Sequence, residues 1–517
     1  MRWEEQCTHR YRRHLPEALD PVRIGNTEPV DQATHLATRQ TRIQPPDRLT
    51  MSSVEPASPA TIEGNKMAGN VSATEADNSD FSNVAVPPHA RMPKGALTMA
   101  WWAVCSAVFY IVVGAAMALN FGTRNAIIGI VLSVVAYGLV NAVLSRFAIR
   151  TGLSVALFSR VLFGNVGAGL ATLIFCATAI YYAVFEGSVI AVGINTVMPS
   201  ISYPLAALIV VLYSVPLIFG SIQTWLDKFN GVLLPFYILG LVVAVALAIG
   251  EYGYSDKWLN LGPETGAPAG GWWSCFVYYM GVWVLMMFTF DYARFGRQED
   301  AGYHAWFNFG TPFYAVAFLV SGLFGMFMIG TVPDLGALSE VSVLLALLKL
   351  MGIWGLAFVW VTQTRINTAN YYLAAVNLEA LVQLFGRLPF GRVGWAIAVG
   401  VIVYLLMLAD VFSYLLQALA YQGIFVVAWV AVAMAHILID RYSTLVGGAI
   451  EYRSSHVPAF NPLGIGAWFV AAAVGIALHV WGGSYAELSA PATAVIAFAI
   501  YATGLTQARR SWFLATG

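Results

Sequence analysis

The sequence predicts an all-α integral membrane protein with twelve transmembrane helices. Hydrophobic residues make up 59% of the chain and charged residues only 10%, whereas soluble domains carry about 25% charged residues. Twelve apolar stretches approach the length of ~20 residues that a bilayer-spanning helix needs. Positive charges gather in alternate loops, as expected of a multi-pass protein. Composition, segment length and loop charge therefore indicate the same architecture.

The chain divides into two parts of different composition. Residues 1–93 are rich in Arg, Glu, Asp, Thr, Ser and Pro and show no sustained apolar period, so we expect a disordered polar tail. Residues 94–510 form the expected transmembrane domain. Its twelve predicted spans lie at about 96–119, 125–147, 167–195, 203–221, 229–250, 271–291, 309–332, 341–363, 394–410, 412–437, 464–482 and 488–507.

The loop charges predict the orientation of these spans. If the N-terminus is cytoplasmic, the loops on the opposite side carry only Arg124 and Lys257. The cytoplasmic loops and flanks then carry the other fifteen: Arg91, Lys94, Arg146, Arg150, Arg160, Lys228, Arg294, Arg297, Arg365, Arg387, Arg392, Arg441, Arg453, Arg509 and Arg510. By the positive-inside rule, both termini are expected in the cytoplasm of a cell that carries the protein in its plasma or inner membrane.

Glu186 is the residue that points most strongly to function. It is the only formally charged side chain between Arg160 and Asp227, and it lies in the middle of span 3. A carboxylate at that depth is costly unless it is protonated, paired or facing a water-filled cavity. We therefore predict that Glu186 belongs to a functional site; the alternative is a structural acid bonded to a neighbouring helix.

Twelve spans joined by short loops indicate a transporter rather than an enzyme. The sequence contains no phosphate-binding loop of an ATPase, so we expect an ion gradient to drive transport and no organic cofactor to be required. The formal net charge of +0 indicates no nucleic-acid partner, and the expected partners are a small-molecule substrate and the lipid bilayer, without an obligate protein partner. A membrane enzyme would need clustered acids or histidines, whereas His436 and His479 stand alone.

Interrupted helices are expected where such transporters bind substrate and ions near the membrane midplane. Span 1 contains the segment Tyr110–Gly114 (YIVVG), and span 6 contains Tyr278–Gly281 (YYMG) before Trp283. Spans 1 and 6 are the corresponding members of two five-helix halves. This correspondence predicts two inverted repeats, at about 96–250 and 271–437, followed by two extra helices within 464–507.

Three segments carry a family resemblance. In chain order they are Arg150–Gly164 with its RTGLS and SRVLFG blocks, Thr289–Arg297 (TFDYARFGR), and Thr362–Tyr372 (TQTRINTANYY). In this order they resemble the nucleobase:cation symporter-1 family of purine and cytosine permeases and hydantoin transporters. The resemblance implies a leucine-transporter-type 5+5 inverted repeat plus two C-terminal helices. It also implies symport of a nucleobase or related heterocycle with a cation, at a site between spans 1, 3, 6 and 8.

The resemblance also implies which residues contact the substrate. Family members stack a flat heterocycle between aromatic side chains of spans 3 and 6 and bind its edge with carboxamides. The corresponding residues here are Tyr181 or Tyr182 for the ring, Phe185 or Glu186 for the edge, Gly281 with Trp283 (or Val282) in span 6, and Gln363, Asn367 and Asn370 in span 8. The same fold also suits amino acids or other small amines, for which Glu186 would bind an ammonium group.

The sequence leaves two candidates for the coupling ion, sodium and a proton. Sodium-coupled members use carbonyls from the span 1 break, here Tyr110 to Gly114, and two adjacent hydroxyls in span 8. In this chain Thr362 and Thr364 are separated by Gln363, and side chains at i and i+2 do not share a helical face. A sodium site is therefore one candidate, and Glu186 as a proton carrier is the other, because burial disfavours the charged form of a carboxyl group.

Three further charged residues lie at or inside the predicted spans. Asp291 and Arg294, at i and i+3 near the cytoplasmic end of span 6, are predicted to form a gating or structural ion pair. Lys349 falls early in predicted span 8, where we expect its long side chain to reach toward the interface.

Overall fold

The computed structural model describes residues 81, 84–218, 222–336, 338–339, 341–383, 390–410, 414–448 and 450–515. Almost all of the predicted polar tail, and therefore its predicted disorder, lies outside these residues. Within them the secondary structure is helical, and pairing of the β type is limited to one isolated bridge between Met92 and Gly296.

The described helices follow the predicted spans closely. In chain order they are α1 (Lys94–Trp102), α2 (Val108–Phe121), α3 (Thr123–Thr151), α4 (Val155–Phe163), α5 (Gly169–Val197), α6 (Tyr203–Leu217), α7 (Ile222–Tyr252), α8 (Gly271–Met280), α9 (Val284–Ala293), α10 (Gln298–Thr331), α11 (Ser342–Met351), α12 (Ile353–Gln383), α13 (Arg392–Leu408), α14 (Leu415–Leu438), α15 (Tyr442–Val446), α16 (Pro462–Trp481) and α17 (Ser489–Thr506).

Twelve spans can be assigned to these helices. Eight described segments are long and apolar enough to cross a membrane, and the bent pair α1–α2 makes a ninth. The other three predicted spans correspond to α6 and α13, which are shorter, and to α12, which is long but more polar. The protein is thus a multi-pass membrane protein, and the predicted all-α class is confirmed.

Span 1 is interrupted, but earlier than the sequence suggested. A 3-10 turn, Ala103–Ser106, separates α1 from α2, and the two helices meet at 45°. Within this turn the Ser106 hydroxyl donates to the carbonyl of Ala103 at 2.9 Å, a local bond that competes with regular helix. The predicted break at Tyr110–Gly114 is therefore wrong, because both residues lie inside α2.

Gly114 has a packing role instead. A Cβ atom at this position would overlap the backbone of Gly322 in α10. Small residues of this kind let transmembrane helices approach closely. The pair of glycines therefore sets the contact between spans 1 and 7.

Span 6 changes geometry where the sequence predicted it. Helix α8 ends at Met280, a 3-10 turn covers Gly281–Trp283, and α9 continues the span. A Cβ atom on Gly281 would overlap the carbonyl of Leu419 in α14. Glycine is therefore required here because the turn lies directly against span 10.

Span 8 begins later than predicted. Gly352, at φ 54°, ends the short helix α11, and α12 then runs from Ile353 to Gln383. Lys349 consequently lies in α11 rather than in span 8. Its Nζ donates to the carbonyl of Pro333 at 2.7 Å and lies 3.4 Å from the Asp334 carboxylate, with the side chain 34% exposed.

Helices α5 and α12 pack against each other along much of their length. This pairing explains why α12 tolerates polar residues, since they face protein rather than lipid. It also places Glu186 of α5 and the carboxamides of α12 on neighbouring helices.

Replacing Gly114 with Ala should destabilise the fold by about 1–3 kcal/mol, because the added methyl group overpacks the α2–α10 contact. Thermal unfolding of the purified protein in detergent measures this effect. Gly466→Ala in α16 is the matched control, since nothing lies within 4 Å of a Cβ at that position. Equal melting temperatures for the two variants would contradict the packing role of Gly114.

Candidate functional site

A cavity lies where the break of span 1 meets spans 3, 6 and 8. It contains about 610 Å³ of space between protein atoms, part of it open to solvent. The fifteen lining residues are Trp101, Val104, Ala107, Phe109, Tyr110, Tyr182, Glu186, Val282, Leu285, Phe288, Tyr292, Ile366, Ala369, Asn370 and Leu373. We refer to this space as the central cavity.

Five residues singled out from the sequence line the central cavity: Tyr110, Tyr182, Glu186, Val282 and Asn370. The register was open at three places, and there Tyr182 rather than Tyr181, Glu186 rather than Phe185, and Val282 rather than Trp283 line the cavity. Helical geometry accounts for the first two pairs, because adjacent positions on a helix point about 100° apart.

The cavity has few polar groups, and some of their buried atoms have no hydrogen-bond partner among the described residues. Glu186 is 2% exposed, and its Oε2 finds no hydrogen-bond partner among the described residues. Asn370 is 5% exposed, and its Nδ2 likewise has no partner within the described part of the chain. Buried polar atoms are usually hydrogen-bonded, so these two atoms are available to a ligand.

Aromatic side chains supply much of the wall. Six of the fifteen lining residues are Trp, Phe or Tyr. Phe109 of α2 meets Tyr182 of α5 edge to face, with ring centroids 5.1 Å apart. On the other side, Trp101 meets Tyr292 with centroids 5.4 Å apart. These contacts hold the rings in place and leave flat apolar surfaces toward the cavity.

The other predicted substrate-contacting residues lie outside the cavity lining. Trp283 packs against Tyr137, with centroids 6.3 Å apart. Phe185 packs against Phe109 at 5.1 Å. Tyr181 lines a separate, apolar cavity between α5, α14 and α16. Asn367 is fully buried, and neither end of its carboxamide has a partner among the described residues.

The two threonines proposed for ion coupling face different neighbours. The Thr362 hydroxyl donates to the Phe358 carbonyl at 2.9 Å within α12. The Thr364 hydroxyl lies 2.8 Å from the Tyr213 hydroxyl of α6. The two hydroxyls therefore do not converge on one point. Among the described residues, no group of three or more His, Cys, Asp or Glu side chains is placed to hold a metal ion.

Asp291 and Arg294 both form hydrogen bonds with backbone groups. The Asp291 carboxylate accepts a hydrogen bond from the Val155 N–H at the start of α4, at 2.7 Å. Arg294 donates through Nε to the Asp291 carbonyl at 3.2 Å and through a terminal nitrogen to the Phe81 carbonyl at 2.8 Å. These contacts tie the end of span 6 to α4 and to the segment before α1.

The sequence reading missed Gln422 and most of the aromatic wall. Gln422 of α14 donates to the Gly281 carbonyl at 2.9 Å and to the Tyr182 hydroxyl at 3.4 Å. A carboxamide in an otherwise apolar span was the available signal. No sequence pattern marks Trp101, Phe288 or Tyr292 as cavity residues, because aromatic residues are frequent throughout the chain.

Comparisons with known proteins identify the fold. No family model and no curated protein sequence matches the chain. Among solved structures, Mhp1, described as a nucleobase-cation-symport-1 family transporter in a closed conformation with bromovinylhydantoin bound, is 16% identical, with 84% of this chain and 96% of that chain covered and a TM-score of 0.61. Its inward-facing conformation gives 15% identity, coverage of 82% and 93%, and a TM-score of 0.65.

A sodium-coupled sialic acid symporter is also similar, at 12% identity, coverage of 81% and 91%, and a TM-score of 0.51. Identities this low establish the fold and nothing further. The chain therefore has the leucine-transporter-type membrane fold, as the sequence predicted.

A cysteine at position 369 should react readily with a small maleimide in the purified protein, because Ala369 lines the open cavity. A cysteine at position 374, on the same helix, should react slowly because Ala374 is fully buried. Mass spectrometry of the two variants measures the rates. Cys7 is replaced by Ser beforehand, and Cys105, Cys176 and Cys275 are buried. Equal rates would refute the cavity.

Proposed function

We propose that the protein is a secondary active transporter that imports a nucleobase or related heterocycle, of the cytosine, purine, hydantoin or allantoin type, together with a cation by alternating access. The observation that carries this proposal is the composition of the central cavity. Six of its fifteen lining residues are aromatic, and the Glu186 carboxyl and the Asn370 carboxamide each have a buried polar atom without a partner among the described residues.

This combination suits a flat heterocycle. Such a ring offers two π faces and a rim of N–H donors and carbonyl or ring-nitrogen acceptors. Aromatic side chains contact the faces. Glu186 Oε2 accepts from a ring N–H, and Asn370 Nδ2 donates to an acceptor on the rim. The solved structure of Mhp1 with bromovinylhydantoin bound supports the same substrate class, since hydantoin is a ring of this type.

The position of the cavity along the spans is consistent with alternating access. With cytoplasmic termini, as we propose, the cytoplasmic half of the membrane contains Trp101 before the span 1 break, Tyr292 at the end of span 6 and Leu373 in the second half of α12. All three line the cavity. We therefore assign the cavity to an inward-facing state, which releases substrate to the cytoplasm, and an outward-facing counterpart completes the proposed cycle.

For the coupling ion we favour a proton over sodium. A hard cation requires several converging oxygen ligands, whereas Thr362 and Thr364 diverge. Glu186 is an ionisable group that lines the cavity. A proton bound to its carboxyl group would therefore lie next to the bound substrate. A substrate that hydrogen-bonds to one protonation state favours that state, which links proton binding to substrate binding.

A second candidate is a symporter of the same fold for amino acids or other small amines. Glu186 favours it, because a buried carboxylate without a cationic partner among the described residues could pair with a substrate ammonium group. The aromatic wall would then provide a cation–π contact.

Uptake of labelled compounds into transporter-deficient cells tests the substrate class. Cytosine, adenine, uracil, hydantoin and a set of amino acids are compared. We expect uptake of at least one heterocycle and its loss, by 10-fold or more, in Asn370→Ala, since an unpaired polar substrate group costs ~1–3 kcal/mol. Asn377→Ala on the same helix is the control, because that amide donates to the Leu373 carbonyl of its own helix and does not line the central cavity. Amino-acid uptake without heterocycle uptake would support the second candidate and sink the first.

Glu186→Gln separates binding from coupling. Glutamine keeps an acceptor oxygen for a ring N–H but cannot carry a releasable proton. We expect a substrate KM within a few-fold of the wild type, together with loss of accumulation driven by a pH gradient in proteoliposomes. If accumulation persists in the variant and requires sodium, the proton proposal fails.

A further inference from the structure

The start of α2 lies inside the protein at membrane depth and lacks a cap of its own. Helix α2 begins at Val108, and the preceding residue, Ala107, has no side-chain oxygen to accept a hydrogen bond. The first N–H groups of any helix have no partner within the helix. Val108 is fully buried, and a buried N–H group that lacks a hydrogen-bond partner destabilises the fold.

A glutamine from another helix supplies this cap. The Oε1 atom of Gln363 accepts a hydrogen bond from the Val108 N–H at 3.2 Å. The other end of the same carboxamide, Nε2, donates to the Thr362 hydroxyl at 2.9 Å. Both Gln363 and Thr362 are fully buried. The cap is therefore held in one orientation by α12.

Span 6 shows the complementary arrangement at its own 3-10 turn. Gln422 Nε2 donates to the Gly281 carbonyl at 2.9 Å. The same nitrogen lies 3.4 Å from the hydroxyl of Tyr182, which lines the central cavity. The neighbouring residue, Gly423, allows this approach, because a Cβ atom there would lie 3.2 Å from the Gly281 Cα.

We propose that Gln363 and Gln422 are positioning residues that hold the interruptions of spans 1 and 6 in register with the central cavity, Gln363 as an acceptor and Gln422 as a donor. We call the Gln363–Val108 and Gln422–Gly281 hydrogen bonds the two clamps. The role of the two glutamines in transport rests on the proposed function, but the existence of the clamps does not. Neither glutamine lines the central cavity, so they act through α2 and Tyr182 rather than on the substrate.

The two clamps have opposite polarity, which makes them separable. The start of a helix carries partial positive charge from its free N–H groups, and the end of a helix carries partial negative charge from its free carbonyls. An acceptor or a carboxylate therefore suits position 363 beside Val108. An ionised carboxylate at position 422 would face the Gly281 carbonyl, and the two would repel each other.

Exchange of each glutamine for glutamate tests this polarity without any substrate. Thermal melting of the purified protein in detergent is recorded between pH 5 and pH 9. We expect the melting temperature of Gln363→Glu to change less with pH than that of Gln422→Glu, since both forms of a carboxyl group can accept from the Val108 N–H. We expect Gln422→Glu to match the wild type in acid, where a protonated carboxyl donates to Gly281. As the pH rises, its melting temperature should fall by about 2 °C or more below that of the wild type.

Controls correct for the pH dependence of stability that comes from the protein's own ionisable groups. Tyr182 and Glu186 of α5 and Tyr110 of α2 face this region in all variants, so each curve is read as a difference from the wild type at the same pH. Gln507→Glu, at an exposed position, reports a charge change without a clamp. If Gln422→Glu cannot be purified, Gln422→Met and Gln363→Met replace the pair, and both should lower the melting temperature independently of pH.

The outcomes distinguish the clamps from the proposed function. Parallel pH curves for the two glutamate variants, or unchanged melting in both methionine variants, would overturn the clamps whatever the substrate. Divergent curves in a protein that transports no heterocycle would leave the clamps standing and reject the function. In a functional transporter we expect Gln422→Glu to lose uptake at alkaline pH while Gln363→Glu retains it.

Discussion

The interruption of span 1 is the constraint on which the rest of the site depends. A helix that stops inside a bilayer must find partners for its free backbone groups within the protein. Here the N–H of Val108 finds Gln363 on α12, so α12 must lie against the start of α2. Helix α12 in turn packs along α5, which brings Asn370 and Glu186 to the same cavity. The start of α2, the carboxamide of Gln363 and the central cavity are thus linked through the packing of α12.

The same constraint explains how an apolar protein keeps a polar site. The cavity has few polar groups, and each is attached to a helix fixed by packing rather than to a loop. Glycines at positions 114 and 281 let α10 and α14 approach the interrupted spans. Close approach and glutamine caps hold the backbone, while Glu186 Oε2 and Asn370 Nδ2 keep no partner among the described residues. A rigid site with unsatisfied donors and acceptors is what a polar, flat ligand requires.

Much of the fold was predictable from the sequence, because hydropathy reports which segments can lie in lipid. The failures have physical causes. The predicted span 8 begins too early, since α11 and the start of α12 form one apolar stretch and Gly352 turns the chain between them. The predicted break of span 1 lies too late, because Gly114 serves helix packing and not an interruption. In the site, charge and carboxamide content pointed to Glu186 and Asn370. The register at Val282 and the partner of Gln422 depend on tertiary contacts that no local pattern encodes.

Substrate protection tests the central claim most directly, namely that the central cavity is the heterocycle site. The rate of maleimide modification of Ala369→Cys is measured in the purified protein with and without saturating heterocycles, and with amino acids for comparison. The account predicts that one of the heterocycles slows modification several-fold and that amino acids do not. Modification that is unaffected by every heterocycle, or that is slowed by an amino acid alone, would contradict it.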